Sequence, residues 1–165
     1  MKIENPAQES NQVQEFLTFT LGSENYGVDI LRVREIRGWE KTRELHGTPV
    51  FVRGVLDLRG SIVPIIDLRL RFNVGKCEYT PTTVIIVLSV GEGGSLMGVV
   101  VDSVSDVLSV GRDEIKSTPS LGSKIDIDYI HGMVSRDDQM IMLVETEKML
   151  DAETFETLSH RKGAA

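Results

Sequence analysis

The residues that could do chemistry are few and lie far apart along the chain. Three histidines, His46, His131 and His160, share no metal-ligand spacing with one another or with Cys77, the single cysteine. Zinc binding or thiol catalysis needs such groups to converge on one another, with a base beside the thiol. We therefore interpret these four residues as surface or loop residues and predict no metal and no cofactor.

Two further patterns are weak indications of catalysis. The run Gly91 to Gly94 is similar to a phosphate loop, but neither Lys-Ser nor Lys-Thr follows it. Strand-forming residues flank it, whereas a phosphate site needs a helix N-terminus. Carboxylates at Glu35, Asp57 and Asp67 have arginine neighbours, which favour ion pairing over acid–base catalysis. The sequence therefore predicts a protein that is not an enzyme.

The composition favours a globular protein that does not bind nucleic acid. Hydrophobic residues make up 41% of the 165 residues and aromatic residues only 5%, so the core must consist of Val, Ile and Leu. A formal net charge of −7 argues against nucleic acid or anionic lipid as partners. We predict a cytoplasmic protein for three reasons. The chain has a lone cysteine, it has no apolar signal core, and no apolar run approaches the roughly 20 residues that span a bilayer.

The elements that position these residues are strands, and they are repeated. Alternating apolar and polar residues over 17–30 predict a β-hairpin. Residues 26–36 align without a gap with residues 97–107, and residues 53–67 align with residues 131–145 in the same order. The chain therefore contains two copies of a unit of about 65 residues, each with about five short strands.

The repeat sets the expected domain organisation. A unit this small buries too little surface alone, so the two copies are expected to share apolar surface and to close into barrels. We predict a flexible tail over 1–14 and a domain over 15–150, followed by a C-terminal helix and tail over 146–165. The barrel halves are expected at about 15–80 and 81–145, with chain ends that can cross over.

Two segments leave alternatives open. Residues 33–39 mix apolar and charged side chains, which fits either a strand that enters a bulge or an exposed docking patch. Arg59, at the tip of the turn 57–60, fits a cap for a backbone carbonyl, a bridge between the barrels or a rigid contact for a partner.

These segments resemble the CheW family of coupling proteins of bacterial chemotaxis arrays. The resemblance extends from about Phe16 to Leu150. It is carried by Phe19–Gly22, Tyr26–Ile30, Val33–Gly38, Arg53–Gly60, Val63–Arg69 and Gly98–Val107. The resemblance implies an all-β fold of two Src-homology-3-like five-stranded β-barrels that share an apolar seam, with a C-terminal helix.

The resemblance also implies a function by protein–protein binding. A protein of this kind is a non-enzymatic chemotaxis adaptor in a two-component system. It couples the cytoplasmic signalling tips of methyl-accepting chemoreceptors to the regulatory domain of the histidine kinase CheA and supports kinase activation in receptor arrays. It is expected to be monomeric when free, and to be recruited to the inner face of the membrane through receptors without inserting.

Carried over by position, the resemblance implies two sets of contacts. The receptor-binding residues are Val33, Ile36, Arg37, Gly54, Arg59, Val104 and Val107. The kinase-binding residues are Ile30 and Glu35, with Ser120 and Leu121 as a ring-closing contact. This chain has Asp57 where the family usually has Asn, and Leu121 where a larger aromatic is common.

Two other classes of function remain open from sequence. A small-molecule-binding barrel predicts a deep apolar pocket with a few convergent polar groups. A hydrolase with a composite site predicts at least one strongly perturbed carboxylate beside a cleft.

Overall fold

The all-β class is confirmed by a computed structural model, which describes residues 12–74, 76–91, 93–117 and 129–149. In this part of the chain the strands are β1 (Val13–Leu21), β2 (Glu24–Asp29), β3 (Val33–Gly38), β4 (Val52–Leu58), β5 (Ser61–Asp67), β6 (Val84–Val90), β7 (Ser95–Val101), β8 (Ser103–Gly111), β9 (Ile130–Arg136) and β10 (Gln139–Val144). The helices are short: 3-10 helices at Ile30–Arg32 and Arg112–Glu114, α1 at Leu68–Phe72 and α2 at Thr146–Met149.

The strands form two five-stranded sheets that each mix the two copies of the repeat. The first sheet has the order β8-β1-β2-β10-β9, and the second has the order β3-β6-β7-β5-β4. The two orders become identical when each strand is replaced by its counterpart in the other copy. Each sheet therefore takes two strands from one copy and three from the other.

This exchange corrects the predicted barrel halves at 15–80 and 81–145. The chain ends cross over, because β1 pairs with β8 and β2 pairs in parallel with β10. Both pairings bring together segments that are distant in the chain, and the parallel pair cannot be joined by a tight turn. The β1 strand also begins at Val13, inside the predicted tail over 1–14.

Irregular pairings recur at equivalent positions and confirm the repeat. An isolated bridge joins Arg43 to Val55, and its counterpart joins Lys116 to Met133. Both bridges place an extra backbone segment against a strand that otherwise lies at the edge of its sheet. The two copies therefore share local backbone detail as well as strand order.

A shared apolar cluster, the seam, joins the two sheets. Its aromatic members are stacked or tilted in a row from β1 and β2 to α1, with ring centroids 5.7 Å apart for Phe19 and Tyr26 and 5.9 Å apart for Tyr26 and Phe72. From the second sheet the seam takes buried side chains such as Ile86 and Leu88 of β6. Two smaller clusters fill the separate sheets. The predicted apolar seam is confirmed.

A buried ion-pair network also links the sheets. The guanidinium of Arg69, which is 2% exposed, donates to Asp67 at 2.9 Å and to Asp102 at 2.8 Å. The other carboxylate oxygen of Asp102 accepts from the backbone N–H of Gly22 at 2.7 Å. Because Asp67 ends β5 and Gly22 lies in the β1–β2 turn, this network fixes the second sheet to the first.

The outcomes for Pro64 and for the predicted C-terminal helix differ. Proline cannot donate to a strand ladder, so Pro64 favours an edge strand or a bulge. The strand β5 is not an edge, because it lies between β4 and β7, but its pairing with β4 shifts register beside Ile65. Pairing with β7 begins only at Ile65, so the missing N–H of Pro64 breaks no contact there. Of the predicted C-terminal helix, α2 covers Thr146–Met149, and the remainder lies outside the described residues.

Candidate functional site

The residues of the predicted receptor set lie mainly on two edge strands. Val33, Ile36 and Arg37 belong to β3, at the edge of the second sheet, and Val104 and Val107 belong to β8, at the edge of the first. Val33 and Val104 are half-buried and both pack against the seam. Ile36 is 44% exposed and Val107 is 50% exposed. Two stretches that are distant in sequence therefore present apolar side chains from edges that flank the same cluster.

The β3 strand combines the two alternatives that its sequence left open. The pairing with β6 shifts between Val33, opposite Leu88, and Glu35, opposite Val87, so the strand bulges at Arg34. Such a bulge re-aims the side chains that follow it. The strand is thus both bulged and, at the exposed Ile36, a candidate docking patch.

Glu35 is the centre of an ion-pair chain on this surface. Its carboxylate accepts from Arg59 at 2.7 Å and from Arg37 at 3.0 Å, and Arg37 also donates to Glu40 at 2.6 Å. The hydrogen bond from Arg59 is the main reason that the pKa of Glu35 lies below its usual value, and Arg37 adds to this against the effect of burial. Residues assigned by resemblance to different partners, Glu35 to the kinase and both arginines to the receptor, are therefore in direct contact.

Arg59 bridges strands within one sheet, so its interpretation as a bridge between the barrels is wrong. Its partner Glu35 belongs to β3 of the same sheet. The Arg59 side chain remains 76% exposed while it makes this contact. This leaves most of the guanidinium open to a partner.

The β4–β5 turn that carries Arg59 is built from two left-handed residues. Arg59 has a φ of 53° and Gly60 a φ of 89°, which gives the tight two-residue hairpin expected at this position. Asp57 accepts from the backbone N–H of Gly60 at 2.8 Å. Aspartate therefore supplies the turn hydrogen bond at the position where the family usually has Asn.

Gly54 differs from the other predicted receptor-binding residues because it is buried. A Cβ at this position would lie 2.7 Å from the carbonyl carbon of Arg43 and closer still to its oxygen, and the φ of Gly54 is +127°. The bridge from Arg43 to Val55 runs directly over it. Gly54 thus permits a close backbone approach, and its contact with the receptor stays a prediction.

The predicted kinase-binding residue Ile30 opens a 3-10 helix and packs against the seam. The carboxylate of Asp29 caps this turn by accepting from the N–H of Leu31 at 2.9 Å. Leu31 is 77% exposed. The sequence pattern did not predict this exposure, because the alternation of the preceding strand continues through Ile30. The Asp29 cap was the signal that the strand ends there. Ser120 and Leu121 lie outside the described residues.

The perturbed carboxylate Asp67 is not arranged for hydrolysis. It is fully buried, with its oxygens taken by Arg69, by the thiol of Cys77 at 3.1 Å and by the hydroxyl of Tyr79 at 2.9 Å. Burial raises the pKa of Cys77, so the thiol is further from its nucleophilic form than an ordinary cysteine. Cys77 is thus a member of the buried network and not an incidental loop residue.

Two cavities open at the surface of the described chain. One, of about 320 Å³, lies beside the Glu35–Arg59 ion pair, over Leu58 and Leu96. The other, of about 480 Å³, lies on the first sheet. The cluster within the second sheet is filled by Leu, Val and Ile side chains, which does not favour the small-molecule-binding barrel.

Among the described residues there is no group of three or more His, Cys, Asp or Glu side chains that could hold a metal, and no helix long and apolar enough to cross a bilayer.

Comparison with known proteins gives consistent results. The CheW-like domain family matches residues 15–154. The chain is 46% identical over 140 residues to the chemotaxis protein CheW of Klebsiella aerogenes, covering 85% of this chain and 83% of that protein. It is 35% identical to the chemotaxis protein CheW of Rhizobium meliloti, over 89% of this chain and 94% of that protein. It is 31% identical to the protein FrzA of Myxococcus xanthus, over 87% of this chain and 89% of that protein.

A solved structure has the same fold. The crystal structure of the scaffolding protein TtCheW from Thermoanaerobacter tengcongensis superposes with a TM-score of 0.79 at 28% identity, covering 93% of this chain and 96% of that chain. The two sheets of this chain therefore have the predicted Src-homology-3-like architecture.

Proposed function

This chain belongs to the CheW-like family, and on that premise we propose that it is a non-enzymatic chemotaxis adaptor that couples chemoreceptors to the histidine kinase CheA. Family membership and the likeness to TtCheW support a chemotaxis scaffold. The proposal adds the two partners, the receptor signalling tip and the regulatory domain of the kinase. It also places the protein in the cytoplasm, at the inner face of the membrane when bound to receptors.

Two edge strands that flank the seam, β3 and β8, carry this proposal. Exposed Ile36 and Val107, half-buried Val33 and Val104, and the ion pair of Glu35 with Arg59 combine an apolar centre with charged neighbours. Protein interfaces have this composition, with apolar anchors inside a polar rim. A receptor helix that lays an apolar stripe along these edges is a suitable occupant.

The segment from Ile30 to Glu35 supports the kinase contact. The 3-10 helix raises Leu31 into solvent beside Ile30, and Glu35 follows on the same edge strand. An exposed leucine on a capped, rigid turn loses little entropy on binding, which makes it a suitable anchor. We include Leu31 in the proposed kinase-binding set.

The proposed mechanism is scaffolding without chemistry. An adaptor changes kinase activity only by binding more tightly to one conformation of the receptor–kinase assembly than to another. In the described chain, the carboxylates with shifted pKa values, Glu35, Asp67 and Glu114, are each held by an arginine, which favours ion pairing over acid–base catalysis.

Reconstitution tests the proposal directly. Purified protein is mixed with a receptor signalling fragment and a CheA-type kinase, and co-sedimentation and kinase autophosphorylation are measured together. We expect a ternary assembly and a rise in autophosphorylation that depends on this protein. Failure to bind either partner at any salt concentration would refute the adaptor role.

Arg59→Ala is expected to weaken binding of the receptor fragment by about tenfold, because it removes the exposed guanidinium from the apolar surface. The free energy of unfolding should change little, since exposed ion pairs contribute little. Titration of Trp39 fluorescence with receptor fragment measures the affinity, and urea unfolding measures the stability. Arg112→Ala is the matched control, because Arg112 is an exposed arginine in the 3-10 helix that follows β8. If Arg59→Ala unfolds the protein, Arg59 acts mainly as a structural residue.

A further inference from the structure

A cleft on the first sheet is lined by three methionines and has no role in the proposed coupling. Its volume is about 480 Å³, and its lining includes Met133, Met140, Met142, Glu24, Asn25 and Gln139. We call it the methionine cleft. It lies where β2, β10 and β9 meet, and β9 is the edge opposite to β8 in the sheet order. None of the residues named in its lining belongs to β3 or β8.

Strand register places the three thioethers on one face. Met142 lies directly opposite Met133 across the β10–β9 pair, and Met140 is two residues earlier on β10, so all three side chains point the same way. The intervening Ile141 and the following Leu143 point into the apolar cluster of the first sheet. Met140 is 52% exposed. Met142 also packs against the seam, so Met140 is the most exposed member of this face. A strand position next to a core residue such as Ile141 faces outward and normally holds a polar side chain, so Met140 departs from the usual alternation.

The rim of the methionine cleft is acidic. Glu24 lies in its wall, and the β9–β10 turn next to Gln139 consists of Asp137 and Asp138, both exposed. Within the described ranges, none of these three carboxylates lies within ion-pair distance of a basic side chain. Arg136 is the nearest arginine in sequence, and it donates instead to Glu114 at 2.8 Å. No lysine or arginine lines the cleft.

We propose that the methionine cleft binds a short basic segment of a partner protein, with one or two apolar side chains entering the cleft and Lys or Arg residues facing the acidic rim. Methionine suits this use because its unbranched, polarisable side chain adapts to differently shaped apolar groups. Amphipathic segments with apolar anchors bind such grooves. The small volume limits the number of anchors, so the dissociation constant is expected to be about 10 μM. The proposal does not depend on the coupling role.

A synthetic amphipathic peptide of Leu and Lys tests the site, with a peptide of Leu and Glu of the same pattern as its counterpart. Full-length protein labelled at the methionine methyl groups is titrated and followed by NMR. We expect the signals of Met133, Met140 and Met142 to shift with the basic peptide, while Met97, which is fully buried elsewhere, stays fixed. Equal shifts with the acidic peptide, or shifts that miss these three methyl groups, would overturn the proposal.

Variants separate this site from general attraction to an acidic protein. Met140→Gln and Glu24→Gln should each weaken binding at least fivefold. Val50→Gln, at another exposed apolar residue, and Asp113→Asn, which removes the same charge elsewhere, should not change it. If all four variants bind alike, or if Met140→Gln only abolishes a dimer of this chain seen by sedimentation, the cleft has no basic partner segment.

Discussion

Asp67 is the residue on which the polar interior most depends. Burial alone would raise its pKa, but hydrogen bonds from Arg69, Cys77 and Tyr79, together with the charge of Arg69, outweigh burial and lower the pKa below its usual value. The same arginine carries the link to Asp102 in the direction of the first sheet. The Asp67 carboxylate therefore contributes to stability in its ionised form.

Asp67→Asn is expected to lower the free energy of unfolding by roughly 3 kcal/mol at neutral pH, because it breaks a buried ion pair. The stabilisation by Asp67 is complete above about pH 3.9, its pKa in the unfolded chain. It is lost as the pH falls below that value through the lower pKa of the folded state. Urea unfolding of both proteins from pH 7 to pH 2 measures this. A difference that stays constant down to pH 2 would contradict the assignment.

Gly54→Ala tests a backbone position that resemblance had assigned to binding. We expect a loss of about 3 kcal/mol or more in the free energy of unfolding, because the new Cβ would overlap the Arg43 carbonyl group at a positive φ. Gly38→Ala on β3 is the control, since a Cβ there has no neighbour within 4 Å. If the Gly54→Ala protein has normal stability but binds the receptor fragment more weakly, Gly54 contacts the receptor directly.

At the scale of elements, the β4–β5 turn carries the most prominent charged residue of the proposed site. Its geometry depends on Asp57, whose carboxylate fixes the N–H of Gly60. The turn then holds Arg59 within reach of Glu35 on β3. A substitution that loosens the turn should therefore affect both stability and the position of Arg59.

Asp57→Asn should change the free energy of unfolding by less than about 0.5 kcal/mol, because an amide oxygen accepts the same hydrogen bond. Asp57→Ala should cost about 1 kcal/mol, since the N–H of Gly60 loses its partner. Urea midpoints at unchanged m-value measure both. Equal midpoints for Asp57→Ala and the unchanged protein would show that water replaces the carboxylate without loss.

Regular features of this chain were predictable from its sequence, and irregular ones were not. Repeated alternation predicted the strands, the repeat and the seam, because burial on one face of a strand imposes a period of two. The exposure of Leu31 interrupts that period, so alternation misplaced it, whereas the mixed pattern of residues 33–39 allowed for the bulge at Arg34 without fixing its position. The network around Asp67 extends through Arg69 to Asp102 and Gly22, which are distant in the chain, and local spacing carries no signal of such contacts.

At the scale of the whole molecule, the exchange of strands makes the two copies mutually dependent. The first sheet takes β1 and β2 from the first copy and its other strands from the second, and the second sheet has the reverse composition. The seam draws on both sheets, and so does the network through Asp102. Neither copy contains a complete sheet.

Fragments 1–80 and 81–165 should therefore each fail to fold alone, because each lacks neighbours for strands of both sheets. We expect neither fragment to show a cooperative thermal transition by circular dichroism, and an equimolar mixture to recover one. A cooperative transition in fragment 1–80 alone would contradict this dependence.

The strand exchange also bears on the origin of the molecule. Two copies that complete each other's sheets have the arrangement of a domain-swapped homodimer whose subunits were later fused end to end. In such a history the ancestral gene encoded a single short unit, and duplication in tandem preserved the swapped contacts within one polypeptide. In such a history fusion also frees the two copies to diverge, so β3 and its counterpart β8 carry different side chains at equivalent positions.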